Sequence, residues 1–144
     1  MIAKVLFLCV HNSARSQMAE AYLRKFGGDN FIADSAGLEA GKLNPLAIEV
    51  MKEEGIDISL NSTKEVFDYF RQGKIFNYVI TVCDAANAEK CPIFPSMSEK
   101  IGWDFPDPSK FTGTHEEKLA QTRKVRDMIK RAVLDFIDKI NYEK

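Results

Sequence analysis

The run "CVHNSARS" (9–16) places a cysteine, Cys9, and an arginine, Arg15, with five residues between them and Ser16 directly after. These types at this spacing point to nucleophilic chemistry on an anion. The thiolate is the nucleophilic form of cysteine. A guanidinium grips a tetrahedral oxyanion through paired, charge-assisted hydrogen bonds. A loop of this length between a strand and a helix can curl so that the backbone N–H groups of Val10, His11, Asn12, Ser13, Ala14, Arg15 and Ser16 point inward. A helix N-terminus behind such a loop completes an oxyanion cradle. The same positive field favours the thiolate of Cys9, which would lie beneath the bound anion and face its central atom. Ser16 is placed to donate to the Cys9 sulfur. A plain strand-end cysteine and a surface arginine are the competing reading, and the strand before and helix start after the loop weigh against it.

The elements around this loop are readable from periodicity. Residues 2–9 form a continuous apolar run, as in a buried strand. Asn12 or Ser13 is expected to cap a helix running to about Phe26, with Met18, Tyr22, Leu23 and Phe26 on its apolar face and Gly27-Gly28 ending it. "FIADSAG" reads as a short second strand. Asn44-Pro45 opens the next helix, whose face is Leu46, Ala47, Val50 and Met51, and Gly55 stops it. Ser62 and Glu65 are spaced as a capping box for a third helix carrying Val66, Phe67 and Phe70. "NYVITVC" is a strand that delivers Cys83 at its end. A loop-rich segment follows, with a short strand near Ile101-Gly102-Trp103. Thr114 and Glu117 form a second capping box, and a long helix reaches about Ile140 with Leu119, Val125, Ile129, Val133, Phe136 and Ile140 inward. The order β-α-β-α-α-β-β-α predicts an α/β fold: one domain over 1–144, three layers, helices on both faces of a four-stranded parallel sheet. Ligands of such sheets bind at the carboxyl ends of the strands. Cys9, Cys83 and the "WDFPDPS" loop should therefore share one edge.

Bulk properties narrow the function. The chain has 144 residues, 45% hydrophobic and 28% charged, with a net charge of -1. That composition supports a core and argues against disorder and against a phosphate-driven nucleic-acid binder. No apolar run approaches the roughly 20 residues that span a bilayer. "MIAKVLFLCV" lacks the basic start and cleavage site of a signal peptide, so a cytoplasmic protein is expected. The three cysteines, Cys9, Cys83 and Cys91, suit thiol chemistry or inert core thiols better than structural disulfides. Together with two histidines they match no zinc spacing, and no metal or cofactor is expected.

The opening stretch resembles the phosphate-binding loop of the low-molecular-weight protein tyrosine phosphatase fold. "CVHNSARSQMAEA" is similar to the arsenate reductases built on that fold, which carry an NS-x-RSQMAE run. The likeness extends through "DSAGLEAGKLNPLAIEVMKEEGIDIS" and the Asp-Pro at 107, and so covers nearly the whole chain. The resemblance implies a relay. Cys9 attacks arsenate, Cys83 attacks the adduct and releases arsenite, and Cys91 then takes the disulfide from Cys9–Cys83 to Cys83–Cys91. There thioredoxin, or a similar dithiol protein, can reduce it. Phosphate or sulfate would compete for the anion loop. The spacing of Cys83 and Cys91 fits the thioredoxin-coupled relatives better than the glutaredoxin-coupled ones. Many relatives have a cysteine where this chain has Ala14, and the relay does not need it.

Of the two carboxylates in "WDFPDPS", the family's acid is the aspartate directly before a proline, which is Asp107; Asp104 reads as a solvated or capping residue. Asn12, Glu20 and Ser35 match positions that shape the loop and in some members help hold a potassium ion. A further acidic position of that set is Lys64 here, so an ammonium supplies the charge and no cation dependence is expected. His11 reads as a rim residue whose backbone matters more than its ring, His115 as incidental. Trp103 either covers the edge of the site or packs in the core. A monomer suffices for this chemistry. Two other functions stay open: a phosphomonoesterase, which needs Cys9, Arg15 and Asp107 but not Cys83 or Cys91, and an oxyanion-binding module, which needs no acid. "DPSKF" lacks the paired aromatics with which phosphatases of this fold grip phosphotyrosine.

Overall fold

The computed structural model describes residues 2–83 and 98–143. Four strands, β1 (Ala3–Cys9), β2 (Phe31–Gly37), β3 (Tyr78–Thr81) and β4 (Glu99–Gly102), form one sheet in the order β2-β1-β3-β4. Every pairing is parallel. β1 is therefore internal, and from Val5 onward its residues are apolar and buried on both sides because both faces of the sheet are covered. Val5, Phe7 and Cys9 face a large cluster built with α1 (Arg15–Gly27), α2 (Pro45–Glu53) and α4 (His115–Glu143). Leu6 and Leu8 face a smaller cluster closed by Val66 and Tyr69 of α3 (Val66–Arg71) and by Phe76. The result is the expected three-layer α/β/α arrangement, with unequal outer layers. Among the described residues no helix is long and apolar enough to cross a membrane.

Local signals explain most boundaries. The Asn44 side chain accepts from the Leu46 N–H at 2.8 Å, with Pro45 at the first helical position of α2. Thr114 and Glu117 bond reciprocally at 3.1 and 3.3 Å, the capping box expected for α4. The six inward positions expected on that helix are all buried. β3 ends at Thr81, so Cys83 lies two residues past the strand, but the Val82 N–H still bonds the Leu8 carbonyl of β1 at 2.8 Å.

Three expectations need correction. Neither Asn12 nor Ser13 caps α1; Ala14 holds the cap position without a side-chain bond, because the Asn12 amide is engaged elsewhere. Phe26 is 39% exposed and lies on the surface against the Tyr22 ring, with centroids 6.0 Å apart. Ser62 and Glu65 form no capping box. Glu65 instead makes a parallel bridge to Gly37 just before α3, which sets that short helix's phase so that Val66 and Tyr69 turn inward while Phe67 and Phe70 stay exposed.

Candidate active site

Cys9 ends β1 as a free, buried thiol. The chain then turns through Asn12, whose φ of 55° is left-handed, a conformation that asparagine tolerates better than most residues. The turn aims the Asn12 backbone N–H at the Cys9 sulfur, 3.1 Å away. The Ser16 hydroxyl lies 2.9 Å from the same sulfur. The outer side of the loop is fastened by the segment after β2. Leu38, Glu39, Gly41 and Asn44 donate their N–H groups to the carbonyls of Cys9, Val10, His11 and Ser13 at 2.8–3.2 Å. With those carbonyls turned outward, the loop's amides are turned toward its interior, the geometry of an anion nest. Gly37 makes this fit possible. A Cβ there would lie 2.7 Å from the Asn12 nitrogen and 2.8 Å from the His11 carbonyl carbon.

Arg15 opens α1 and is only 4% exposed. One guanidinium nitrogen donates to the Phe105 carbonyl at 3.0 Å, and the other lies 3.5 Å from Asp107 Oδ2. Asp107 Oδ1 accepts from the Ser109 N–H and hydroxyl at 2.9 and 2.8 Å. The aspartate thus shapes its own turn with one oxygen and presents the other to Arg15. Asp104 is exposed. Trp103 is half-buried and packs against the core through Phe7, Phe105 and Phe136, at centroid distances of 6.0–6.3 Å. His11 is on the rim, its Nδ1 3.5 Å from Glu39 Oε1. His115 pairs with Glu49 on the surface.

Beneath the loop lies a buried polar layer. Asn12 Oδ1 accepts from the Lys64 backbone N–H at 2.9 Å and from Gln17 Nε2 at 3.0 Å, while its Nδ2 donates to Ser16 Oγ at 2.8 Å. Glu20, 3% exposed, has Lys64 Nζ 3.7 Å from Oε1 and Arg24 Nη2 3.6 Å from Oε2. Glu20 Oε1 and the Ser35 hydroxyl have no hydrogen-bond partner among the described residues. The lysine ammonium thus stands beside the buried carboxylate, as the sequence led one to expect. Among the described residues there is no cluster of three or more His, Cys, Asp or Glu side chains suited to a metal.

Cys83 is buried and disulfide-bonded. Cys91 falls outside the described residues. Leu8 is paired with Thr81, so Cys9 and Cys83 leave neighbouring strands at the same edge of the sheet. Sequence reading missed Gly37, Gln17 and the Phe105 carbonyl. Only the glycine after a strand and the amide in "RSQMAE" left a trace that could have marked them.

The low molecular weight phosphotyrosine protein phosphatase family model matches residues 4–144. An arsenate reductase of Halalkalibacterium halodurans is 45% identical over 134 residues, covering 93% of this chain and 94% of that protein. The solved structure of an arsenate reductase in its phosphate-binding state superposes with a TM-score of 0.80 at 30% identity, over 96% of this chain and 99% of the other. A thioredoxin-dependent arsenate reductase from Corynebacterium glutamicum gives a TM-score of 0.73 at 26% identity, over 99% of this chain and 64% of that one. The chain belongs to the low molecular weight phosphotyrosine protein phosphatase family and, within it, groups with the arsenate reductases.

Proposed function

We propose that this protein reduces arsenate to arsenite with electrons from its own thiols. The observation that carries the reading is the emergence of two cysteines, Cys9 and Cys83, from adjacent strands at the edge where Arg15 and Asp107 meet. The Cys9 thiolate attacks arsenic, Arg15 holds the equatorial oxygens, and one oxygen leaves as water after taking a proton from Asp107. The Cys83 thiolate attacks the Cys9 sulfur, the sulfur–arsenic bond breaks, and its electron pair departs with arsenic as arsenite. A Cys9–Cys83 disulfide remains. Cys91 attacks Cys83, frees Cys9 and leaves a Cys83–Cys91 disulfide, which a dithiol protein such as thioredoxin reduces by exchange. The relative from C. glutamicum supports thioredoxin as that partner. The cycle needs one copy of the chain and a reducing compartment such as the cytoplasm. Lys64 serves as a fixed counter-ion to Glu20, so exchanging potassium for sodium at constant ionic strength should leave the initial rate unchanged.

The test is a thiol count on fully reduced, then denatured protein after anaerobic incubation with arsenate or phosphate. Of the three cysteines, arsenate alone should consume two. Survival of all three thiols, with hydrolysis of an aryl phosphate, would replace this reading with a phosphatase. Cys9→Ser should abolish activity, and Cys91→Ser should complete one turnover and stall. Multiple turnovers by Cys91→Ser with thioredoxin as sole reductant would sink the relay.

A further inference from the structure

Gln17 follows Ser16 on the first turn of α1 and is fully buried. Both N–H donors of its amide and the amide oxygen are engaged. Nε2 donates to the Ser62 carbonyl and to Asn12 Oδ1, each at 3.0 Å, and Oε1 accepts from Asn61 Nδ2 at 3.2 Å. The direction of these bonds is fixed by two backbone groups, one at Gln17 and one at Asn12. The Ser62 carbonyl can only accept, so it determines which end of the Gln17 amide is nitrogen. The Lys64 backbone N–H can only donate, so the Asn12 atom that meets it is the oxygen. The Asn12 nitrogen must then face Ser16 Oγ, which accepts from it at 2.8 Å. Accepting from Asn12 leaves the Ser16 hydrogen free for the Cys9 sulfur, 2.9 Å away, and toward a thiolate, which can only accept, Ser16 is the donor. The sulfur thereby faces two donors, the Ser16 hydroxyl and the Asn12 N–H, and both favour its negative form.

We infer that Gln17 is a positioning residue for the attacking thiol: together with the Lys64 backbone N–H it holds the Asn12 amide at the head of the chain Gln17–Asn12–Ser16–Cys9, so that Ser16 donates to the sulfur and Asn12 keeps its left-handed turn. This deepens the function proposed above, since it takes Cys9 as the nucleophile. A coupled chain of this kind has a signature that simple core packing lacks: removing two links costs no more than removing one.

The experiment measures alkylation of Cys9 by iodoacetamide at neutral pH in a Cys83→Ser/Cys91→Ser background, where Cys9 is the sole thiol. Ser16→Ala and Gln17→Met should each slow alkylation about tenfold, the size of one lost hydrogen bond to a charged atom. The double variant should match Ser16→Ala within about twofold. Wild-type speed in Gln17→Met, or losses that multiply to about a hundredfold in the double variant, would overturn the proposal. If Gln17→Met does not fold, Asn61→Ala at its exposed site decides instead. It should slow alkylation about two- to threefold, with no added effect beside Ser16→Ala. Wild-type speed, or an undiminished effect beside Ser16→Ala, would overturn it. Alkylation needs no arsenate, so a failure to reduce arsenate would remove the proposed function and leave this result standing.

Discussion

Arg15 and Asp107 are separable because each has two jobs on different atoms. Arg15 uses one nitrogen to hold the Phe105 carbonyl and turns the other toward Asp107. A lysine keeps the charge but loses the planar fork. Arg15→Lys should therefore raise the KM for arsenate about a hundredfold and weaken inhibition by phosphate in parallel, as steady-state kinetics would show. Asp107→Asn keeps an oxygen for the Ser109 N–H, so the turn should survive and the melting temperature should hold. The proposed proton donor is gone, however, and kcat should fall about 10²–10⁴-fold. A fall in stability with little change in kcat would assign Asp107 to the turn alone. Both residues were legible in the sequence, because a cysteine, an arginine at fixed spacing and an Asp-Pro are local signals. The Phe105 carbonyl was not, since a backbone acceptor has no sequence signature and Arg15 meets it across 90 positions.

Among the elements, legibility tracked length. α4 spans 29 residues, long enough for its periodicity to identify its buried face. α3 has only 6, too few for a period, and two aromatic residues drew the expected face to the wrong side. What set its phase was the bridge between Glu65 and Gly37, a contact between distant segments. Gly37 illustrates the same limit. Nothing beside it in the sequence requires a glycine; the requirement arises where β2 ends against the backbone of the anion loop. Gly37→Ala should push the Asn12 and His11 backbone outward, because those atoms cannot swing aside as a flexible side chain would. The expected result is a loss of about 1–3 kcal/mol in urea unfolding, together with loss of phosphate binding by calorimetry. Unchanged phosphate binding would show that the loop can shift as a unit.

At the scale of the whole molecule, α1, which starts at the anion loop, is anchored through Tyr22 to the end of α2 and to α4. The parallel sheet and helical layers were legible from the alternation of elements, but this anchor was not. It consists of polar and charged groups from α1, α4 and the end of α2 that meet only in three dimensions. Lys130 of α4 donates to Glu54 Oε1 at 2.9 Å, and Tyr22 of α1 donates to the same atom at 3.1 Å. The Lys130 hydrogen bond, helped by that from Tyr22, holds the Glu54 carboxyl below its ordinary value of 4.5 despite some burial. Glu53 beside it is held low in the same direction by Arg123 and Arg126. A carboxylate whose folded pKa lies below its unfolded one adds stability at pH above the unfolded value, and that contribution fades as pH falls through the lower, folded value. Glu54→Gln should therefore lower the urea midpoint at pH 7. The gap from wild type should hold down to about pH 5 and close as pH drops below 4.5, where wild type also loses the charge. A gap that stays constant from pH 7 to about pH 3 would mean that Glu54 stabilises by packing and neutral hydrogen bonding, and the anchoring of α1 would then be independent of its charge.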